Sequence, residues 1–361
     1  MSAFDPKRTL AVRICCDAQC SPQHGRVRPS AGGQSVRRRD FITLVGGAAA
    51  GWPLGARAQQ QAIPVIGLLG AGSKVDSKRY YDGFPLGMQQ HGYLEGRDYV
   101  LESRYADGDF ARLPLLAKEL VELKPLVIVA GTTSAAVAAR KQTETIPIVG
   151  VNLFDPVGNG LVDSEARPGT NVTGTLLYLP GLAGKQLELA RDLIPAITRV
   201  GVLANRDNQF SMVQRKESEE AATKLGMSLA IVNVSTTDEI IAAFQTFVRE
   251  GATAVSVLGD AWFVVIRQQI AAVALSSRLP TIYRVREHVE SGGLISYGTD
   301  LHESYVRAAF YVDKILKGEK AGNLPIEFPT KLELVINLRT AKALGLDVPL
   351  FLRQRADEVI E

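Results

Sequence analysis

Beyond residue 58 the chain contains no cysteine, because Cys15, Cys16 and Cys20 all stand within the first twenty positions. Their absence from the rest excludes a disulfide framework, a thiol nucleophile and a cysteine for a lipid anchor, and the three that exist have no fourth ligand nearby to complete a metal cluster. Histidine is equally sparse: His24, His91, His288 and His302 are scattered, and no two share a metal-ligand spacing. No Gly-x-Ser-x-Gly elbow occurs, so a serine hydrolase of that kind is excluded as well. The net charge of +3 also disappears on inspection. Residues 1–58 carry nine Lys or Arg and three Asp or Glu, which leaves 32 basic against 35 acidic residues in the remainder. A nucleic-acid partner, which needs a concentrated basic surface, finds no support there.

The N-terminal region reads as an export signal placed late. Val36-Arg37-Arg38-Arg39-Asp40-Phe41-Ile42 is followed by an apolar run from Phe41 to Gly55 and then by Ala56-Arg57-Ala58. A basic region, a short apolar region and a small-x-small site in that order make a signal peptide over residues 36–58 with cleavage near Ala58. The run falls short of the roughly 20 apolar residues that span a bilayer, so no stable membrane anchor is expected. Arg38-Arg39-Asp40-Phe41-Ile42 resembles the twin-arginine export motif, although an ordinary signal also needs a basic start. Residues 1–35, rich in Arg, Pro, Gly and Ser without apolar periodicity, read as a disordered extension ahead of the true start at Val36.

About 300 residues remain, more than one core usually holds, so two domains are expected. Short Val/Ile/Leu-rich runs at 63–69, 99–104, 126–130 and 146–151 alternate with helical stretches at 79–91, 110–123 and 134–142. After the break at Arg167-Pro168-Gly169-Thr170-Asn171 the alternation resumes. Strands are expected at 199–203, 228–232, 254–258 and 281–283, with helices at 184–192, 212–225, 237–250 and 261–277. Continuous apolar strands separated by helices imply parallel sheets covered on both faces, hence two α/β lobes. A strand at 293–297, a helix at 301–316 and an extended stretch at 332–337 are left over, and they suggest that the chain crosses back. The expected division is 59–175 plus 285–326 for lobe I and 176–284 plus 327–361 for lobe II.

Several segments carry a family likeness. Gly92-Tyr93-Leu94-Glu95-Gly96-Arg97, Asp155-Pro156-Val157-Gly158-Asn159-Gly160-Leu161-Val162 and Arg167-Pro168-Gly169-Thr170-Asn171-Val172-Thr173-Gly174 resemble segments of the ABC-transporter substrate-binding proteins related to tryptophan- and tyrosine-binding receptors. Gly184-Lys185-Gln186-Leu187-Glu188-Leu189, Ser291-Gly292-Gly293-Leu294-Ile295-Ser296-Tyr297-Gly298 and Pro329-Thr330-Lys331-Leu332-Glu333-Leu334 extend the likeness over nearly the whole chain beyond the signal. The resemblance implies a type I periplasmic-binding-protein fold, in which two Rossmann-like lobes are joined by three hinge crossovers. It further implies no catalysis and no cofactor, a small carboxylate such as an aromatic amino acid or aromatic acid as ligand, and a membrane permease as partner. A monomer in the periplasm is the expected state.

Open α/β sheets bind ligands beyond the carboxyl ends of their strands, and that rule selects candidates. Gly131-Thr132-Thr133-Ser134 follows a strand and opens a helix, so it suits a carboxylate, while Thr132 or Thr133 equally suits a helix cap. Asp155 could meet a ligand ammonium group or merely start a turn before Pro156. Asn205 and Asp260 hold equivalent strand-end places in the second lobe and could also cap helices. Gly70-Ala71-Gly72-Ser73 lacks the third glycine of a dinucleotide loop and the Lys-Ser order of a phosphate loop, which leaves a tight turn with Ser73 near the cleft. Tyr178, Tyr283 and Tyr297 lie near strand ends or crossovers, where a ring can stack on a flat ligand or fill the core. Glu287, near the second crossover, could meet a cation, and the stronger reading is a solvated hinge acid. The competing classes are an exported α/β enzyme, disfavoured by the missing nucleophile, metal and cofactor motifs, and a regulator of the same core fold, disfavoured by the export signal.

Overall fold

The computed structural model describes residues 63–75 and 77–361. The expected extension, the signal peptide with its cleavage position and the three cysteines lie outside the described residues. Five strands, β1 (Val65–Gly70), β2 (Val100–Tyr105), β3 (Val127–Ala130), β4 (Ile148–Leu153) and β5 (Val172–Leu176), form one sheet in the order β2-β1-β3-β4-β5. All its pairings are parallel. The second sheet contains β6 (Arg199–Asn205), β7 (Ser228–Val234), β8 (Ala254–Val257), β9 (Thr281–Tyr283), β10 (Ile295–Thr299), β11 (Leu332–Asn337) and β12 (Glu358–Ile360). Their order is β12-β11-β10-β9-β8-β6-β7, parallel throughout except where β11 runs antiparallel to β10.

The apolar runs are continuous because helices cover both faces, and strand alternation sends neighbouring side chains to opposite cores. In β3, Val127 and Val129 join Phe84, Met88, Tyr305 and Val312 on one face. Ile128 and Ala130 join Leu116, Leu120, Ala135 and Ala139 on the other. Helix Leu301–Leu316 thus packs on the first sheet although it follows β10 of the second. The chain therefore passes between lobes three times, after β5, after β10 and before β11.

Three differences from the sequence reading have physical causes. The helix expected over 79–91 is two helices, Lys78–Tyr81 and Gly83–Gln90, because Pro85 has no N–H to donate back to the preceding turn. The segment 285–326 does not belong to lobe I as a piece. Its strand Ile295–Thr299 pairs with β9 and β11 in the second sheet, and only the helix and turn that follow return to the first. Strand β5 was hidden because Gly174 interrupts a run of only five residues, and glycine weakens a strand signal.

Gly174 shows why glycine stands in β5. Its φ is +142°, and a Cβ would lie 1.8 Å from the Gly150 carbonyl oxygen on β4, where the β4–β5 register also shifts. Gly174→Ala is expected to destabilise the protein by about 2 kcal/mol or more, since an off-region backbone and an overpacked contact combine. Urea unfolding checks this, and an unchanged midpoint would remove the claim that this close approach governs how β5 docks.

Candidate functional site

Because the strands of each sheet other than β11 and β12 run the same way, their carboxyl ends share one edge. Strand order reverses between β1 and β3 in the first sheet and between β6 and β8 in the second, and such reversals open a crevice. The loops at both reversals line one cleft of about 720 Å³ between the lobes.

On the first lobe the cleft wall includes Ser73, Thr132, Thr133 and Ser134. Thr132 caps helix Thr133–Gln142, its Oγ1 accepting from the Ala135 N–H at 3.2 Å. Thr133 Oγ1 accepts from the Phe154 N–H at 2.8 Å and ties the helix start to the loop after β4. Each hydroxyl oxygen thus accepts one main-chain N–H, which leaves its own O–H as a donor. Asn152, with φ +59°, turns the end of β4 toward the cleft; it is 8% exposed, and its Oδ1 has no hydrogen-bond partner. Below it lies a tyrosine cluster: Tyr80 stacks on Tyr305 at 5.7 Å, and Tyr81 meets Tyr305 edge-on at 5.2 Å. Gly70 and Gly131 leave room for it, since a Cβ at either would lie 2.3 or 2.2 Å from the hydroxyl of Tyr81 or Tyr305. Burial pushes the Tyr80 hydroxyl up to about 12 and those of Tyr81 and Tyr305 well above the usual range, so all three stay protonated.

The second lobe contributes a polar triad at its reversal. Asp260, 9% exposed, caps helix Ala261–Val265 through Oδ1, which accepts from the Phe263 N–H at 3.0 Å. Its Oδ2 accepts from Asn205 Nδ2 at 3.1 Å and from Asn208 Nδ2 at 2.6 Å. Beside it, Arg284 follows β9 into the cleft wall and is 4% exposed. Its Nη1 donates to Gln214 Oε1 at 3.0 Å and its Nη2 to the Leu177 carbonyl at 3.2 Å, while its guanidinium carbon lies 5.3 Å from the ring centres of both Tyr178 and Phe210. Burial lowers its pKa to about 10, partly offset by Glu217, so it is a cation at neutral pH.

The lobes meet around this cleft. Phe154 from the first stacks on Phe210 from the second with ring centres 3.7 Å apart, and Arg79 of the first forms an ion pair with Glu290 of the second. Arg286 backs that pair, binding Glu290 at 3.0 Å, Glu333 at 2.8 Å and also Glu358. Glu287 is buried next to this cluster with Oε2 unpartnered, in contrast to the solvated hinge acid that was expected.

Of the sequence candidates, Ser73, Thr132, Thr133, Ser134, Asn205 and Asp260 come together on the cleft wall. Asp155 does not: it is exposed, with φ +40°, and its Oδ1 accepts from the Gly158 N–H at 2.8 Å, the turn role. Tyr178 stands behind Phe210, packed edge-on at 5.2 Å. Tyr283 is fully buried and stacked on His288, and Tyr297 packs into the core beneath β10. Asn152, Asn208, Phe154, Phe210, Trp262, Arg284 and the tyrosine cluster line the cleft without having been singled out. No sequence signal led to Arg284; the structure shows that Gly259 makes room for it, because a Cβ there would lie 2.4 Å from its Cδ.

Two α/β lobes, three crossings and a cleft walled by strand ends from both define a two-lobed solute-binding protein of the type I periplasmic kind. Residues 73–360 match the family model for ABC transporter substrate binding proteins, and the chain belongs to that family. It is 30% identical over 264 residues to a tyrosine-binding protein of Clostridioides difficile (strain R20291), covering 73% of this chain and 76% of that one. A Streptococcus pneumonia ABC domain solved in complex with L-Trp is similar at 27% identity and TM-score 0.75, covering 82% of this chain and 99% of that chain. The ligand-free, open structure of a Clostridium difficile substrate binding protein with adhesive properties is similar at 25% identity and TM-score 0.66, with the same coverages. These relatives are binding proteins, and this chain is a binding protein rather than an enzyme. Among the described residues no helix is long and apolar enough to cross a membrane.

Burial, with Glu333 nearby, raises the Glu287 carboxyl to about 7 against Arg79 and Arg286, which pull it down. An acid that binds its proton more tightly when folded stabilises the protein at low pH, and this contribution fades as pH rises from the ordinary 4.5 through 7. His288, held down to about 3 by burial, acts oppositely as pH falls below 6.5. Glu287→Gln is therefore expected to stabilise the protein above pH 7 relative to pH 4.5, by on the order of 3 kcal/mol. Denaturation of both proteins at the two pH values checks this. An equal difference at both would show that Glu287 ionises freely in the fold.

Proposed function

We propose that the protein is the exported solute-binding component of an ABC importer. It holds a small carboxylate, such as an aromatic or other amino acid or an aromatic acid, in the interlobe cleft and presents it to a membrane permease. The observation that carries this reading is the cleft itself, in which polar strand-end groups from two separate sheets converge on one space lined by Phe154, Phe210 and Trp262. Aromatic walls with a few fixed polar groups suit a flat, partly apolar ligand with a charged end. Hinge closure encloses such a ligand from both sides and creates the shape that a permease can read. A bound tryptophan in one relative and the tyrosine-binding name of another support the same ligand class.

Export follows from the N-terminal signal, with removal near Ala58 and a monomer working in the periplasm. Intact-mass measurement of protein recovered from the periplasm is the direct check on the processing position.

A ligand that binds only the folded state raises its stability by about 2.7 kcal/mol at a hundredfold excess over Kd. For a chain of this size that corresponds to a melting-temperature rise of about 4 °C. A thermal-shift screen across amino acids, aromatic acids and other carboxylates is expected to yield such a rise. No rise with any of them, in protein freed of carried-over solute by unfolding and refolding, would overturn the ligand class.

A further inference from the structure

Two arginines are buried in the second lobe, and they are treated differently. Arg286 is surrounded by Glu290, Glu333 and Glu358. Arg284 has no carboxylate within ion-pair distance among the described residues. Its hydrogen bonds go to a side-chain amide oxygen and a main-chain carbonyl, and two aromatic faces flank it. Neutral acceptors and ring faces offset only part of the cost of taking a guanidinium out of water, and a buried cation without a counter-charge is costly. Glu217 acts on it only at a distance. The neighbouring arginine in the cleft, Arg267, is partly exposed and so keeps water around its charge.

The surroundings hold Arg284 in place. Gln214 is buried and fixes both the guanidinium and the loop before Asp260. Its Oε1 accepts from the Gly259 N–H at 2.8 Å as well as from Arg284, and its Nε2 donates to the Gly259 carbonyl at 2.9 Å. Gly259 lets the arginine stem pass. The result is a rigid, desolvated cation built into the cleft wall, with a planar fork suited to a carboxylate. The opposite lobe has no comparable charge to offer, because no lysine or arginine stands among the first-lobe residues that line the cleft, only hydroxyl, amide and main-chain donors. The acids on the cleft wall do not compete for the guanidinium. Asp260 is held by Asn205, Asn208 and the Phe263 N–H, Asp107 pairs with Arg112 at 2.8 Å, and Asp207 lies exposed.

We propose that Arg284 is the residue that reads the ligand's carboxylate, so that selection of anionic over neutral solutes resides in the second lobe rather than at the Thr132–Ser134 helix start. The inference rests on the carboxylate-receptor reading above. A second consequence follows from the Leu177 carbonyl, which lies in a crossing between the lobes and accepts from both Arg284 and Thr299 Oγ1, the latter at 3.0 Å. A carboxylate that draws on the Arg284 fork acts directly beside a hinge strand.

The test compares each carboxylate with its own primary amide, namely L-tyrosine with L-tyrosinamide, L-tryptophan with L-tryptophanamide, and phenylacetate with phenylacetamide, by calorimetry at neutral pH. Native protein is expected to prefer the carboxylate of a binding pair at least 30-fold, and Arg284→Gln to bring that ratio below about threefold. A merely structural role would weaken both members equally and leave the ratio unchanged. Gln214→Glu covers the case in which loss of the arginine unfolds the protein. It places a counter-charge beside the guanidinium at the cost of the Nε2–H bond to the Gly259 carbonyl, so both affinities fall and the ratio alone is read, which is expected to drop at least tenfold. A preference retained in folded Arg284→Gln or in Gln214→Glu would overturn this assignment while leaving the receptor reading intact. Failure of every carboxylate to bind the native protein would instead overturn the receptor reading, and this inference with it.

Discussion

The structure depends on one constraint, the direction in which its strands run. Among the described residues ten of twelve strands run in the common direction of their sheet, with β11 and β12 reversed, so the loops at those ten carboxyl ends fall on one edge of each sheet. Three crossings turn the two edges toward each other. Once that is done, the groups that meet across the gap are those at or just past the strand ends: Ser73, Thr132, Asn152, Asn205, Asp260 and Arg284. Their helices begin at the same edge, and for that reason Thr132 and Asp260 are helix caps as well as cleft residues. Capping and lining are two results of one geometry, and a cap residue's exposed side is available to a solute only where its own bonds leave room.

Charge is distributed to fit this arrangement. Around Arg286, Glu290, Glu333 and Glu358 the lobe builds a compensated cluster, and Arg79 reaches it from the other lobe. An ion pair that exists only when the lobes approach favours the closed form, though partial exposure of both groups limits its worth. The stack of Phe154 on Phe210 adds apolar contact on the same seam. Arg284 is the exception to compensation, and it is the exception that faces the cleft.

Much of this was legible in the sequence, and the misses are instructive. The runs at 126–130 and 254–258 announce buried strands, and the rule that ligands gather beyond strand ends led to Asn205 and Asp260 on the cleft wall. The rule fails by one residue at β9: Tyr283 faces the core and Arg284 faces the cleft, because successive side chains on a strand point to opposite sides. Composition cannot set that phase without the end of the strand. The tyrosine cluster was hidden for another reason: the helix carrying Tyr305 was expected in the first lobe, but its contact with Tyr80 and Tyr81 joins residues more than 200 positions apart, which no local pattern announces. Asp155 went the other way. A position with positive φ next to Pro156 uses its carboxylate locally, as Asx residues in turns commonly do.

The central claim is that a small carboxylate is enclosed by both lobes in this cleft, and Trp262 is placed to report on it. The chain's other tryptophan, Trp52, lies in the proposed signal segment and leaves with it, so Trp262 is the one tryptophan of the chain that begins after Ala58. Titration of that processed chain with the carboxylate that stabilises the protein most should change Trp262 emission saturably, with one solute bound per chain and the affinity found by calorimetry. Binding by calorimetry with unaltered Trp262 emission would place the solute outside the cleft and contradict the account.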